Sequence, residues 1–201
     1  MNWRDRLSRF LVVLMVAGCA APPVKPPAPS PAPSPAPPTT PPPAPTPAPE
    51  APEVKPAASR MSAQDIKGIT AYHNKVRADV GVGPLQWSQG LANYAQEWTD
   101  SLASTICGIK HRTEPLYGEN LYQGTAGAFT AVDGAKAWES EKKDFHGGAL
   151  TRSNSQAVGH YTQMVWRDTR MLGCGESVCN TTLIVACNYD PPGNILGRKP
   201  F

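Results

Sequence analysis

His160 stands in the run Gly159-His160-Tyr161-Thr162-Gln163-Met164-Val165-Trp166, and Cys174, Cys179 and Cys187 follow shortly after it. An imidazole is a metal ligand or a general base near neutral pH. Cysteines grouped this closely are disulfide partners or metal ligands. Leu183-Ile184-Val185-Ala186 has the length and β-branched character of a buried strand, and Asp190-Pro191-Pro192-Gly193 stops it. One short block therefore holds a candidate ligand, three of the five cysteines and a core strand. Two catalytic patterns are missing from the chain: it has no His-Glu-x-x-His and no Gly-x-Ser-x-Gly nucleophile elbow. His73 lies on an apolar helical stripe and reads as a core histidine.

The cysteines take their meaning from the compartment. Arg4, Arg6 and Arg9 precede an apolar run from Phe10 to Ala17, far short of the roughly 20 residues that cross a bilayer as a helix. This is the pattern of an export signal, residues 1–18. Val16-Ala17-Gly18-Cys19 looks like a bacterial lipobox, in which Cys19 is acylated and becomes the mature N-terminus. The alternative is an ordinary secretory signal cleaved near Ala20 or Ala21. Acylation of Cys19 leaves four cysteines, enough for two disulfides in an oxidising compartment. A metal cluster of the same four is the competing reading, but no pair shows the Cys-x2-Cys spacing of zinc knuckles. The expected location is the bacterial envelope, at the outer membrane or cell surface, held by a lipid anchor, with a secreted form as the alternative.

Of the 23 prolines, 18 fall between Pro22 and Pro56, among Ala, Ser and Thr and with almost no large apolar residue. Residues 19–61 therefore read as a proline-rich tether, spanning about 110 Å over Pro22 to Pro56 if fully extended in polyproline II geometry. Residues 62–201 are long enough for one domain with its own core. The formal charge is +3, and Arg4, Arg6 and Arg9 against Asp5 leave a mature chain near +1. No basic footprint for nucleic acid is present.

Several elements must position the block. Ser62 with Asp65 is a capping pattern, and Ile66, Ile69, His73, Val76 and Val80 repeat at helical spacing, which predicts a helix from about Ala63 to Val80. A second begins near Ser88, with Leu91, Ala95, Trp98 and Leu102 on its buried face. A third is announced by Thr130 and Asp133 and runs to about Phe145. Tyr161 to Trp166 suits a short helix or a strand equally. Strands are expected near Leu116 to Leu121, Arg170 to Gly175 and Leu183 to Tyr189, too few and scattered for a doubly wound parallel sheet. The class is α+β, a small antiparallel sheet with helices on its faces.

Four motifs now stand in order: His73-Asn74-x-x-Arg77, Gly118-Glu119-Asn120-Leu121, the Gly159 to Trp166 run, and Cys187-Asn188-Tyr189-Asp190-Pro191-Pro192-Gly193-Asn194. Through them the chain resembles the CAP superfamily, also called the SCP or pathogenesis-related protein 1 family, across essentially all of Ser62 to Phe201. The resemblance implies a three-layer α-β-α sandwich with a mainly antiparallel sheet. It also implies a cleft holding two histidines and two acids. Carried over by local motif, these are His111, Glu119, Glu141 and His160. Glu141 stands three residues after Trp138; Glu139, adjacent to Trp138, would point elsewhere. Asn120 and Gln163 are expected to line the same cleft.

Two neutral imidazoles such as His111 and His160 are good ligands for Zn²⁺, with the carboxylates orienting them or accepting a proton. The spacing of Cys174, Cys179 and Cys187 resembles that of plant members, which implies pairing of Cys174 with Cys187 and of Cys107 with Cys179. Chain-entropy arguments assign about 3 kcal/mol to the short bridge and about 4 to the long one. The cysteine pair that plant members carry around the Gly-His-Tyr-Thr motif is lacking, so the loop from Gly147 to Val158 is expected to be looser. The expected function is an envelope-anchored binding module, its cleft taking a divalent metal and a lipid, peptide or wall-derived ligand. The alternative is a zinc-dependent hydrolase acting on envelope peptides or peptidoglycan.

Overall fold

The structure, a computed structural model, describes residues 59–201. The export signal, Cys19 and the proline-rich run lie outside the described residues. The first helix, α1 (Ala63–Ala78), begins where Ser62 Oγ accepts the Asp65 amide at 3.1 Å. A two-residue strand, β1 (Gln86–Trp87), leads into α2 (Gln89–Thr105), capped by Ser88 Oγ on the Leu91 amide. After β2 (Gly118–Thr125), Thr130 and Asp133 cap each other's backbone amides to open α3 (Ala131–Ser140). One 3₁₀ turn, Glu141–Asp144, follows; then come α4 (Ser155–Met164), β3 (Met171–Cys179) and β4 (Thr182–Asp190).

The strands form one mixed sheet in the order β1-β3-β4-β2, with β1 parallel to β3 and the other pairings antiparallel. β4 is central and buried from Leu183 to Tyr189. Its period of two divides the core. Leu183, Val185, Cys187 and Tyr189 face a cluster with Ile69 and Val76 of α1, Trp138 of α3 and Met164 of α4. Ala186 packs the other way, with Leu121, against Ala95 and Trp98 of α2. α2 lies almost in van der Waals contact with β3: a Cβ on Gly173 would stand 2.2 Å from the Ala92 nitrogen, and one on Gly175 would stand 2.4 Å from that of Gln96. This is the expected α-β-α sandwich, α+β in class.

The differences from the sequence reading have physical causes. β1 was not anticipated, because two residues contain no period and their strand character exists only through pairing with Met171 and Leu172. The third helix stops at Ser140 and tightens into the 3₁₀ turn instead of continuing to Phe145. The ambiguous Tyr161 to Trp166 segment is helical to Met164 and begins earlier, at Ser155. Tyr161, Thr162, Gln163 and Met164 are all buried, so neither periodicity could show in the residue types. That earlier start makes Ser155 to Val158 the first turn of α4. Leu150 in the preceding loop is buried and exchanges backbone hydrogen bonds with Gly197 and Arg198.

Both disulfides join the pairs that the resemblance implied. Cys174 and Cys187 face each other in register across β3 and β4, while Cys107 reaches Cys179 over 72 residues of sequence.

Candidate functional site

The segment carrying His111 has no regular structure, so side chains must hold it. It leaves α2 at the Cys107–Cys179 bridge. Trp98, partly buried, then donates from Nε1 to the Lys110 carbonyl at 2.9 Å. The Arg112 guanidinium sits 3.8 Å from the Tyr94 ring centroid and 4.9 Å from that of Trp98, and its Nη2 donates to the Tyr94 carbonyl. These contacts bring His111 to the start of β2. There His111 Nδ1 donates to Glu119 Oε1 at 2.7 Å, and the Arg112 amide reaches the same oxygen at 3.2 Å. The hydrogen bond and charge of Glu119 hold the His111 imidazole above its usual pKa, against partial burial. Glu119 Oε2 is buried and has no hydrogen-bond partner among the described residues.

The second histidine is held by a different element in the same way. Glu141 opens the 3₁₀ turn; its Oε1 accepts from His160 Nδ1 at 2.6 Å. Its Oε2 accepts the backbone amides of His160 at 2.9 Å and Tyr161 at 3.1 Å. Trp138, one helical turn before Glu141, stacks on the His160 ring at 6.2 Å between centroids and 19° between planes. Glu139 points away and bonds the Tyr72 hydroxyl. Each imidazole is thus tied at Nδ1 to a carboxylate, and Nε2 of each has no protein partner among the described residues.

His111, Glu119, Asn120 and His160 line one cavity of about 330 Å³, completed by Ser155, Gln156, Gly159 and Asn194. Glu141 is not part of the lining and stands behind His160, on its Nδ1. Gly159 and Asn194 were within the motifs already singled out. Ser155 and Gln156 were missed because their stretch read as loop, and only the early start of α4 turns them to the cleft. Gln163 is a correction. It does not line the cleft but is buried behind it, its Oε1 accepting the Gly193 amide at 3.0 Å. A Cβ at Gly118 would stand 2.3 Å from that same oxygen, so the glycine makes room for the amide.

The back wall of the cleft is a buried hydrogen-bond chain with one allowed direction. His73 Nδ1 faces the Ile69 carbonyl at 2.8 Å, which can only accept, so Nδ1 carries the proton. Nε2 therefore accepts from the Tyr189 hydroxyl at 2.9 Å. Asn120 Nδ2 donates to that hydroxyl oxygen at 3.1 Å and to the His160 carbonyl at 3.0 Å. His73 is the satisfied core histidine that its place on the stripe predicts. Burial first, and Arg77 second, push its pKa down to about 4 against the Ile69 bond.

The unfolded chain, with a histidine near 6.5, takes up this proton first. Stability from a neutral His73 is therefore complete above about pH 6.5 and drains away as pH falls toward 4. The loss should reach about 3 kcal/mol at roughly 1.36 kcal/mol per unit. Urea midpoints measured from pH 7 to pH 4 should show this slope, and a His73→Gln variant should lack it.

Comparison with known proteins places the fold in a family. Pathogenesis-related protein 1B of Nicotiana tabacum is 44% identical over 130 residues, covering 64% of this chain and 76% of that protein. Pathogenesis-related protein PRMS of Zea mays is 39% identical over 154 residues, covering 75% of this chain and 89% of the maize protein. Among solved structures, BmVAL-1 superposes with a TM-score of 0.59 at 26% identity, over 71% of this chain and 84% of that one. The crystal structure of NaASP2 with Zn²⁺ superposes with a TM-score of 0.63 at 24% identity, over 70% and 86%, and shows the fold alone. Residues 70–189 match the family described as CAP, cysteine-rich secretory protein. With that match spanning both disulfides and every histidine and carboxylate of the cleft, the chain belongs to the CAP, or cysteine-rich secretory protein, family.

Proposed function

We propose that this chain is an envelope-anchored binding module whose cleft takes a divalent metal at His111 and His160, beside a lipid, peptide or wall-derived ligand. The observation that carries the reading is the tying of both imidazoles at Nδ1, to Glu119 and Glu141, which leaves Nε2 of each as the coordinating atom. Carboxylates in this position set the tautomer and ring orientation of metal-binding histidines and raise their basicity. Glu119 Oε2, without a partner among the described residues, leaves a carboxylate oxygen beside the site. The donor set fits an open site. No group of three or more His, Cys, Asp or Glu suited to a metal occurs among the described residues, so water or ligand would fill the remaining positions. A bound divalent ion supplies Lewis acidity and a fixed positive charge.

Binding is favoured over hydrolysis by the hydroxyl in the cleft. Ser155 Oγ donates to the Arg152 carbonyl at 3.3 Å, and neither imidazole activates it. The Lewis-acid alternative, a zinc-dependent hydrolase, draws on Glu119 as base, because Glu141 uses both oxygens to hold His160 and Tyr161. Chelator-sensitive turnover of peptides or muropeptides, abolished by Glu119→Gln, would establish that alternative.

Calorimetric titration with Zn²⁺ tests the metal. Binding should be lost in a variant with both His111→Ala and His160→Ala. Glu141→Gln should weaken it about 10- to 100-fold by freeing the His160 ring. No heat, or heat unchanged in the double variant, removes the metal from the reading. The two disulfides account for four of the five cysteines, which supports Cys19 as the acylated residue. Labelling with a radioactive fatty acid, lost on Cys19→Ala, tests the anchor.

A further inference from the structure

The two disulfides differ in what can reach them. Cys174 and Cys187 have no exposed surface, whereas Cys107 and Cys179 are half-buried, and Ile106, Val178 and Asn180 beside them are exposed. A disulfide is reduced by a thiolate that must touch one of its sulfurs, so access selects the Cys107–Cys179 bridge and spares the other. The accessible bridge also stands at the root of the least supported wall of the cleft. Cys107 follows the C-terminal end of α2 with φ 47°, a left-handed place that glycine usually takes and that disfavours a side chain. From Ile106 to Tyr117 the chain has neither helix nor strand. The His111 side chain within it is 61% exposed, against 35% for that of His160, which α4 carries. The bridge ties the start of this segment to the end of β3; beyond it, the contacts of Trp98, Arg112 and Glu119 do the holding.

We propose that the Cys107–Cys179 bridge is a redox switch for the cleft, opened by an exported dithiol, and that its state sets whether His111 is held opposite His160. A thiolate of the dithiol attacks one sulfur of the bridge. The S–S bond breaks, and the other cysteine leaves as a thiolate that takes up a proton. The second thiol of the reductant, giving up its proton, then displaces the first cysteine. The chain gains two thiols, and the dithiol departs as a disulfide. With the bridge open, nothing covalent keeps Cys107 in its left-handed conformation, so the end of α2 unwinds and the segment carries His111 out of place for part of the time. Metal affinity falls by the fraction of time that His111 remains in place, about tenfold for a fraction of about one-tenth. That last effect rests on the metal reading of the cleft, whereas the selective opening and the loosening of the segment do not.

The test uses the full-length chain with Cys19→Ala, which removes the cysteine outside the bridges, oxidised and then treated with dithiothreitol without denaturant. Trapped with iodoacetamide and located by mass spectrometry, Cys107 and Cys179 should be labelled at least about tenfold faster than Cys174 and Cys187. Amides of residues 106–112 should exchange at least about tenfold faster in the chain so reduced. Freed of reductant, the trapped chain, whose blocked thiols bind no metal, should take Zn²⁺ about tenfold more weakly than the oxidised chain. A chain with Cys107→Ser and Cys179→Ser should match it and should not respond to dithiothreitol. Labelling of all four cysteines together overturns the switch, and so does unchanged amide exchange once the long bridge is open. Equal Zn²⁺ affinity in the two states overturns it as well. An oxidised chain that binds no Zn²⁺ removes the metal reading instead, and the exchange of residues 106–112 then decides the switch alone.

Discussion

Substituting Met for Arg77 should lower domain stability by about 3–5 kcal/mol, read as a fall in Tm of roughly 10–20 °C. Arg77 is fully buried, and its side-chain hydrogen bonds among the described residues all go to backbone carbonyls. Nε donates to Gly83 at 2.7 Å, Nη1 to Met164 and Trp166 at 2.9 Å each, and Nη2 to Thr169 at 3.0 Å. Met fills much of the volume but donates nothing, so the Met164 and Thr169 carbonyls lose this donor in the interior, Trp166 keeps only the Thr169 amide, and exposed Gly83 turns to water. Burial lowers the Arg77 pKa to about 10, with Arg170 nearby adding to the effect; the guanidinium is still charged at neutral pH. Met164 and Trp166 end the helix that carries His160, where a cation is also favoured by the helix dipole. Arg77→Lys should recover less than half of the loss, since one ammonium cannot span the geometry of the fork. Wild-type stability in Arg77→Met would show that these bonds are dispensable.

Removing the long bridge by Cys107→Ser with Cys179→Ser should cost about 4 kcal/mol, because the closed loop constrains the unfolded chain over 72 residues of separation. The denaturant midpoint checks this. A second consequence separates this bridge from the other. The segment from Ile106 to Arg112 would then be held only by side-chain contacts, those of Trp98, Arg112 and Glu119, so its amides should exchange faster and Zn²⁺ affinity should fall. Removing Cys174 and Cys187 should leave those amides unchanged, because that pair is buried between β3 and β4, away from the segment. Equal effects from both double variants would mean that the long bridge does not position His111.

The helix starts were legible because capping is local. Ser62, Ser88 and Thr130 each satisfy the amide three residues ahead, and no distant residue enters that choice. β4 was legible because a central strand is apolar on both faces. β1 and the start of α4 were not, since each depends on a partner supplied by another part of the chain. Gln163 shows the limit most clearly. Its type and its motif suit a cleft wall, yet whether an amide faces solvent or the Gly118–Gly193 gap is decided by packing alone.

By itself the sequence determined the α+β class, the capped helices, the central strand, the family and, through its motifs, His111, Glu119, Glu141 and His160. Local hydrogen bonding and periodicity, with a specific set of motifs, suffice for those. Only the tertiary structure decided which nitrogen of each imidazole is tied, and that Glu119 keeps a buried oxygen without a partner among the described residues. Those are relations between side chains whose backbones are far apart in sequence, and such distances are set by how helices and sheet close on one core.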